Sequence, residues 1–106
     1  MFDVLEVGLE TIAALREPLT VLRKRDPDLF RQIRRAGSSI TLNIAEGNRR
    51  VGADRLHLWR VAAGSADEVR VGLRSAVAWG DLRVEDIERS FELLDRVCAM
   101  LWKLTH

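Results

Sequence analysis

Apolar residues recur along this chain at spacings of three and four, and the period-two alternation of a half-buried strand is absent, so the pattern predicts helices throughout. Over Phe2 to Arg25 the stripe is Leu5, Leu9, Ile12, Leu15, Leu19 and Leu22, with Pro18 predicting a kink or a break near Arg16. Asp26-Pro27 reads as an N-cap followed by proline at the first helical position. A second helix is therefore predicted from Pro27 to Asn48, with a seam of Phe30, Ile33, Gly37, Ile40 and Ile44. Gly47 and the polar run to Gly52 predict its end and a loop. A third helix, Ala53 to Trp79, carries Trp59, Ala62, Ala63, Ala66, Val69, Leu73, Ala76 and Val77, and Gly80-Asp81 ends it. The fourth, Val84 to Leu104, has the seam Val84, Ile87, Phe91, Leu94, Cys98, Leu101 and Thr105. Four helices joined by short connections predict an all-α, antiparallel up-down four-helix bundle, one domain over residues 1–106.

The polar residues inside the second and third helices are unusual for helix interiors. RRAGSSITLNIAEG (Arg34 to Gly47) and AAGSADE (Ala62 to Glu68) are both rich in small and hydroxyl side chains. A loop centred near residues 51 and 52 sets Arg35 level with Glu68, Ser39 with Gly64, Asn43 with Arg60 and Glu46 with His57. The expectation is one inter-helix network with an ion pair between Arg35 and Glu68. Apolar residues beside the main stripes (Leu93, Val97, Met100, Trp102 and Leu104 on the fourth helix, Val61, Val71 and Trp79 on the third) exceed what one bundle core uses and predict self-association.

Composition narrows function by exclusion. The single cysteine, Cys98, sits on an apolar seam and excludes an internal disulfide or multi-cysteine metal site. No apolar run is long enough to span a bilayer, and the acidic N-terminus does not resemble a signal peptide, which predicts a cytoplasmic protein without a membrane partner. Neither His57 nor His106 has a glutamate three residues before it, so the di-iron bundle pattern is not met and no metal or other cofactor is predicted. Ser38, Ser39 and Ser65 offer hydroxyls, with His57 as base and Glu46 or Glu68 as orienter. No strand-turn-helix elbow or glycine-built oxyanion site accompanies them, so no enzyme and no small-molecule substrate is predicted. GNRRVG lacks the spacing and ending of a phosphate-binding loop.

Net charge is only +1, but its distribution is uneven. Residues 26–60 hold seven arginines against four acids, whereas residues 81–106 hold four basic against six acidic side chains. Of 17 basic residues only Lys24 and Lys103 are lysine, a preference that suits phosphate forks and interface ion pairs and that a GC-rich genome also produces. Arg49, Arg50, Arg55 and Arg60 collect at one end of the predicted bundle, with Arg31 and Arg34 as a second group. They are either phosphate contacts or a solvated, internally ion-paired face.

These stretches carry a resemblance. Ser39-Ile40, Asn43 to Gly47, and then Gly64, Ser65 and Glu68 ahead of AVAWGDL resemble the bacterial four-helix bundle proteins encoded by intervening sequences in large-subunit ribosomal RNA genes. The resemblance covers roughly residues 20 to 104. It implies an up-down bundle assembled into a homopentameric ring, with no enzymatic activity. The chain is also similar to the accessory variability proteins of diversity-generating retroelements, basic pentamers that associate with a reverse transcriptase and nucleic acid; its near-neutral charge departs from that branch. The expectation is a non-enzymatic, oligomeric RNA- or nucleoprotein-binding accessory module, with a protein-interaction scaffold as the alternative. Arg49, Arg50, Arg55, Arg60, Arg31 and Arg34 are the expected nucleic-acid contacts. Arg35, Ser39, Asn43, Glu46, Gly47, Gly64, Ser65 and Glu68 are expected to hold the fold.

Overall fold

The computed structural model describes residues 2–106. Its elements are the helices α1 (Asp3–Arg25), α2 (Pro27–Asn48), α3 (Gly52–Trp79) and α4 (Val84–Thr105). Each packs on the next, and α4 closes back on α1, in a body of 43 × 22 × 20 Å whose long axis is the length of α3. Cross-helix contacts run in opposite directions along each consecutive pair, so neighbours are antiparallel. Ile44 meets Trp59 while Ser39 meets Ser65, and Arg60 reaches Thr105 while Arg70 reaches Asp95. Leu22, Ile33, Ile40, Ile44, Leu73, Leu94 and Leu101 fill the axis.

Helix boundaries fall where the local chemistry predicts them. The Asp26 carboxylate accepts from the Leu29 N–H, and Pro27 follows it. Gly80, at φ 84°, takes the left-handed conformation that ends α3, and the N–H groups of Asp81 and Leu82 return to the Ala76 carbonyl. The Asp86 carboxylate accepts from the Arg83 N–H at 2.8 Å and from its guanidinium at 3.0 Å at the start of α4, and the Arg83 guanidinium holds the Asp86 carboxyl below its ordinary range.

Three expectations are corrected. In the first half of α1 the buried stripe is Val4, Val7, Gly8 and Thr11, while Leu9 is 48% exposed. An aliphatic count misses this stripe because two of its members are not aliphatic. A Cβ at Gly8 would lie 3.1 Å from Thr41, so glycine sets the α1/α2 spacing, and the Thr11 hydroxyl is satisfied by the Val7 carbonyl. On α4, Leu93 and Val97 belong to the core, whereas Val84 is exposed and Phe91 and Cys98 are only partly buried. The buried stripe of α4 is thus wider and turned from the predicted seam. Finally, α1 does not break near Arg16 but runs through Pro18.

The carbonyl that this leaves free finds a partner on another helix. Proline at 18 leaves the Ala14 carbonyl without its helical donor. The buried Ser90 of α4 donates its hydroxyl to that carbonyl at 3.4 Å. Ser90→Ala should therefore cost about 1 kcal/mol, measured by urea denaturation. In a Pro18→Ala background, where an N–H returns to Ala14, the same change should be nearly neutral; equal costs in both backgrounds would refute the compensation.

Candidate nucleic-acid interface

The polar residues of α2 and α3 do meet, in the expected register but with different partners. The Ser65 hydroxyl donates to Ser39 Oγ at 2.8 Å, and Asn43 Nδ2 donates to both Ser39 Oγ and the Ser39 carbonyl. This half-buried cluster spans the two helices, and His57 is not among its partners. Arg35 and Glu68 are exposed and form no ion pair among the described residues, because both lie outward of the contact line. Gly64 is exposed, and a Cβ there would meet nothing within 4 Å, so it does not permit close approach. The close approaches are at Gly47 and Gly72, where a Cβ would lie 2.5 Å from Trp59 and 2.6 Å from Ile33.

Four of the six arginines expected at phosphates are engaged within the chain. Arg55 donates to the Gly47 and Asn48 carbonyls, both at 3.1 Å, and lies over the Trp59 ring, so it caps the C-terminus of α2 from α3. Arg60 donates to the Thr105 carbonyl at 3.2 Å and caps α4 in the same way. Arg50 pairs with Glu46 at 2.8 Å, and Arg31 pairs with Asp28. Arg49 and Arg34 have no side-chain partner among the described residues and are exposed. Of the end-on cluster, Arg55 and Arg60 thus cap helices, Arg50 is ion-paired and Arg49 alone is free among the described residues.

A different basic surface forms on the side of the bundle. Between α1 and α2 runs a groove of about 330 Å³. Arg16 and Arg23 stand on its α1 side and Arg34 on its α2 side, with Thr20 and Ser38 among them. Its floor is Leu15, Leu19 and the half-buried Phe30, which Arg23 covers at 5.9 Å. The neighbouring concavity along α2 is lined by Arg31, Arg34, Arg35, Ser38, Ser39, Leu42 and Asn43. Neither is lined by an aspartate or glutamate. Arg16 and Arg23 escape a charge count that starts at residue 26. Their signal is the i, i+4, i+7 spacing of Arg16, Thr20 and Arg23, which sets three polar side chains on one outward face of α1.

On the opposite side, α3 and α4 frame a concavity with an apolar base of Val77, Val84, Ile87 and Phe91, edged by Arg74, Glu88, Glu92 and Asp95. The arginines of the α1/α2 groove and the carboxylates of this concavity thus lie on different sides of the bundle, while Arg16 and Thr20 also border Glu17, Glu85 and Asp86 in a concavity beside α4. Burial pushes the Cys98 thiol above its ordinary value, so it is less readily deprotonated than a solvent-exposed thiol. Among the described residues no three His, Cys, Asp or Glu side chains are grouped to hold a metal ion, and no helix is long and apolar enough to cross a membrane.

Comparison with known proteins agrees with this architecture. Residues 9–103 match the family described as 23S rRNA-intervening sequence protein. The fold is similar to the crystal structure of a protein with unknown function from the S23 ribosomal protein family of Bacteroides thetaiotaomicron. The TM-score is 0.84 at 20% identity, covering 96% of this chain and 97% of that one. No curated protein matches the chain.

Proposed function

The chain belongs to the 23S rRNA-intervening sequence protein family, and on that premise we propose that it is a non-enzymatic, cytoplasmic accessory module that binds RNA by its phosphates along the α1/α2 face. The observation that carries this reading is the pair of adjoining concavities bearing Arg16, Arg23, Arg31, Arg34 and Arg35 with no acid lining either one. Of the five, only Arg31 has a carboxylate partner among the described residues. Uncompensated guanidinium groups along one face are what a polyphosphate backbone recruits. Arg49 adds an exposed cation near one end of the bundle. A protein scaffold with merely solvated arginines accounts less well for the exclusion of acids from both linings.

Binding of mixed-sequence RNA should then fall steeply with salt. With three to five phosphates neutralised, the logarithm of affinity should drop against the logarithm of salt with a slope of about −2 to −4. A salt-independent affinity, or none at low salt, would count against the reading. Self-association is the second part of the proposal. Trp79 is 78% exposed and Val84 56% exposed beside the α3/α4 concavity, a surface that a neighbouring copy would cover. A ring, the pentamer that the family resemblance implies, would repeat the α1/α2 arginines around its circumference and could present them to a nucleoprotein containing a reverse transcriptase. Light scattering reads the mass directly, and a monomer across the micromolar range would remove the ring.

A further inference from the structure

We infer that the RNA held by the α1/α2 face is double-stranded, an inference that rests on the phosphate-binding reading above. The first argument is the layout of the cations. Arg16 and Arg23 are seven residues apart on α1, roughly 10 Å along its axis. Arg31, Arg34 and Arg35 stand on α2, which packs directly against α1. Phe30 lies beneath Arg23 and Gly37 against Leu15, a register that brings Arg34 to within a turn of Thr20 and Ser38 to within a turn of Arg16. A single strand offers one phosphate track, whereas arginines carried by two adjacent helices are placed to contact both tracks that border a duplex groove.

The second argument is what the face lacks. Single-stranded RNA is gripped by stacking its unpaired bases on exposed aromatic rings. The aromatic ring in this groove, Phe30, is half-buried and already covered by Arg23. The exposed tryptophans, Trp79 and Trp102, line neither concavity of this face. Cations without stacking platforms select a backbone whose bases are already paired.

The hydroxyls among these arginines add a preference for RNA over DNA. Thr20 donates its proton to the Arg16 carbonyl at 2.8 Å, so toward solvent it offers only acceptor lone pairs. Ser38 is exposed beside it. Acceptors set among phosphate-binding guanidiniums are suited to ribose 2′-hydroxyls, which duplex A-form RNA displays across its shallow groove.

The test is fluorescence anisotropy of the full chain with three labelled probes of one length, about 16 base pairs or nucleotides. These are an RNA duplex, an unstructured uridine-rich single strand and a DNA duplex of the same sequence. The RNA duplex should bind about tenfold more tightly than either of the others at low salt. Thr20→Val with Ser38→Ala should bring RNA and DNA duplexes to similar affinity, with helicity by circular dichroism unchanged. A single strand that binds as well as the duplex, and is lost on removing Arg16, Arg23 and Arg34, overturns the duplex inference while leaving the phosphate reading intact. Binding of none of the three overturns both. RNA-over-DNA selectivity that survives loss of the hydroxyls overturns their role as its source.

Discussion

Replacing Gly47 with alanine should lower stability by about 2–3 kcal/mol and the melting temperature by about 10–20 °C. The added Cβ would lie 2.5 Å from both Cδ1 and Nε1 of Trp59. A flexible side chain would swing away, but this ring is held on several sides. Its Nε1 donates to the Ile44 carbonyl at 3.2 Å, Arg55 lies over it at 5.2 Å, and Phe2 packs against it at 5.8 Å between centroids. Relief therefore requires α2 and α3 to separate, loosening the bonds that Trp59 and Arg55 make to α2 carbonyls at the same end. Gly64→Ala is the matched control. It places the same methyl in open space in the middle of α3, and the lost backbone freedom of the unfolded chain should raise stability by about 0.5–1 kcal/mol. Thermal unfolding of the two variants checks both signs, and equal effects would refute the assignment of Gly47 as the close-approach glycine.

The contrast between these glycines shows how much of the fold was legible in the sequence. Helix number, order and termini follow from spacing, from Asp26-Pro27 and from Gly80, because caps and turns act through a few neighbouring residues. The α2/α3 register was also legible to within a residue or so, since a short loop couples positions on either side of it. Side-chain partners were not. Ser39 meets Ser65 and not Gly64, and a one-residue offset turns a helical side chain by about 100°. Arg35 and Glu68 lie level but point outward for the same reason. The α1 stripe departs from the aliphatic pattern where glycine and threonine take core positions: Gly8 because Thr41 packs against it, and Thr11 because its hydroxyl is satisfied by the Val7 carbonyl, neither visible to local periodicity.

The candidate site moved for a related reason. Arginines near a helix end read as a phosphate cluster in sequence, yet α2 and α4 end with carbonyl groups that need donors. Arg55 and Arg60 meet that need, and Glu46 neutralises Arg50. What remains free besides Arg49 is distributed over two consecutive helices, and only their packing makes Arg16, Arg23 and Arg34 one surface.

Exchanging Arg16, Arg23 and Arg34 together for glutamine should weaken RNA binding about a hundredfold at low salt and flatten the salt slope by about 2–3. Three charge-assisted contacts at about 1.5 kcal/mol or less each suffice for that loss. Stability should change little, because Arg16 and Arg34 have no side-chain partner among the described residues. Arg23 forgoes only an exposed cation–π contact with Phe30, of about 0.5–1 kcal/mol. Arg49→Gln with Arg50→Gln is the informative comparison. Arg50 is already paired with Glu46, so that variant removes one free cation and should reduce the slope by about 1 or less. Arg55 and Arg60 are unsuitable probes, since their loss uncaps α2 and α4 and would lower affinity through unfolding. The ranking is therefore the test. A larger effect from the 49/50 pair than from the 16/23/34 triple, at unchanged melting temperature, would return the interface to the end of the bundle and remove it from the α1/α2 face.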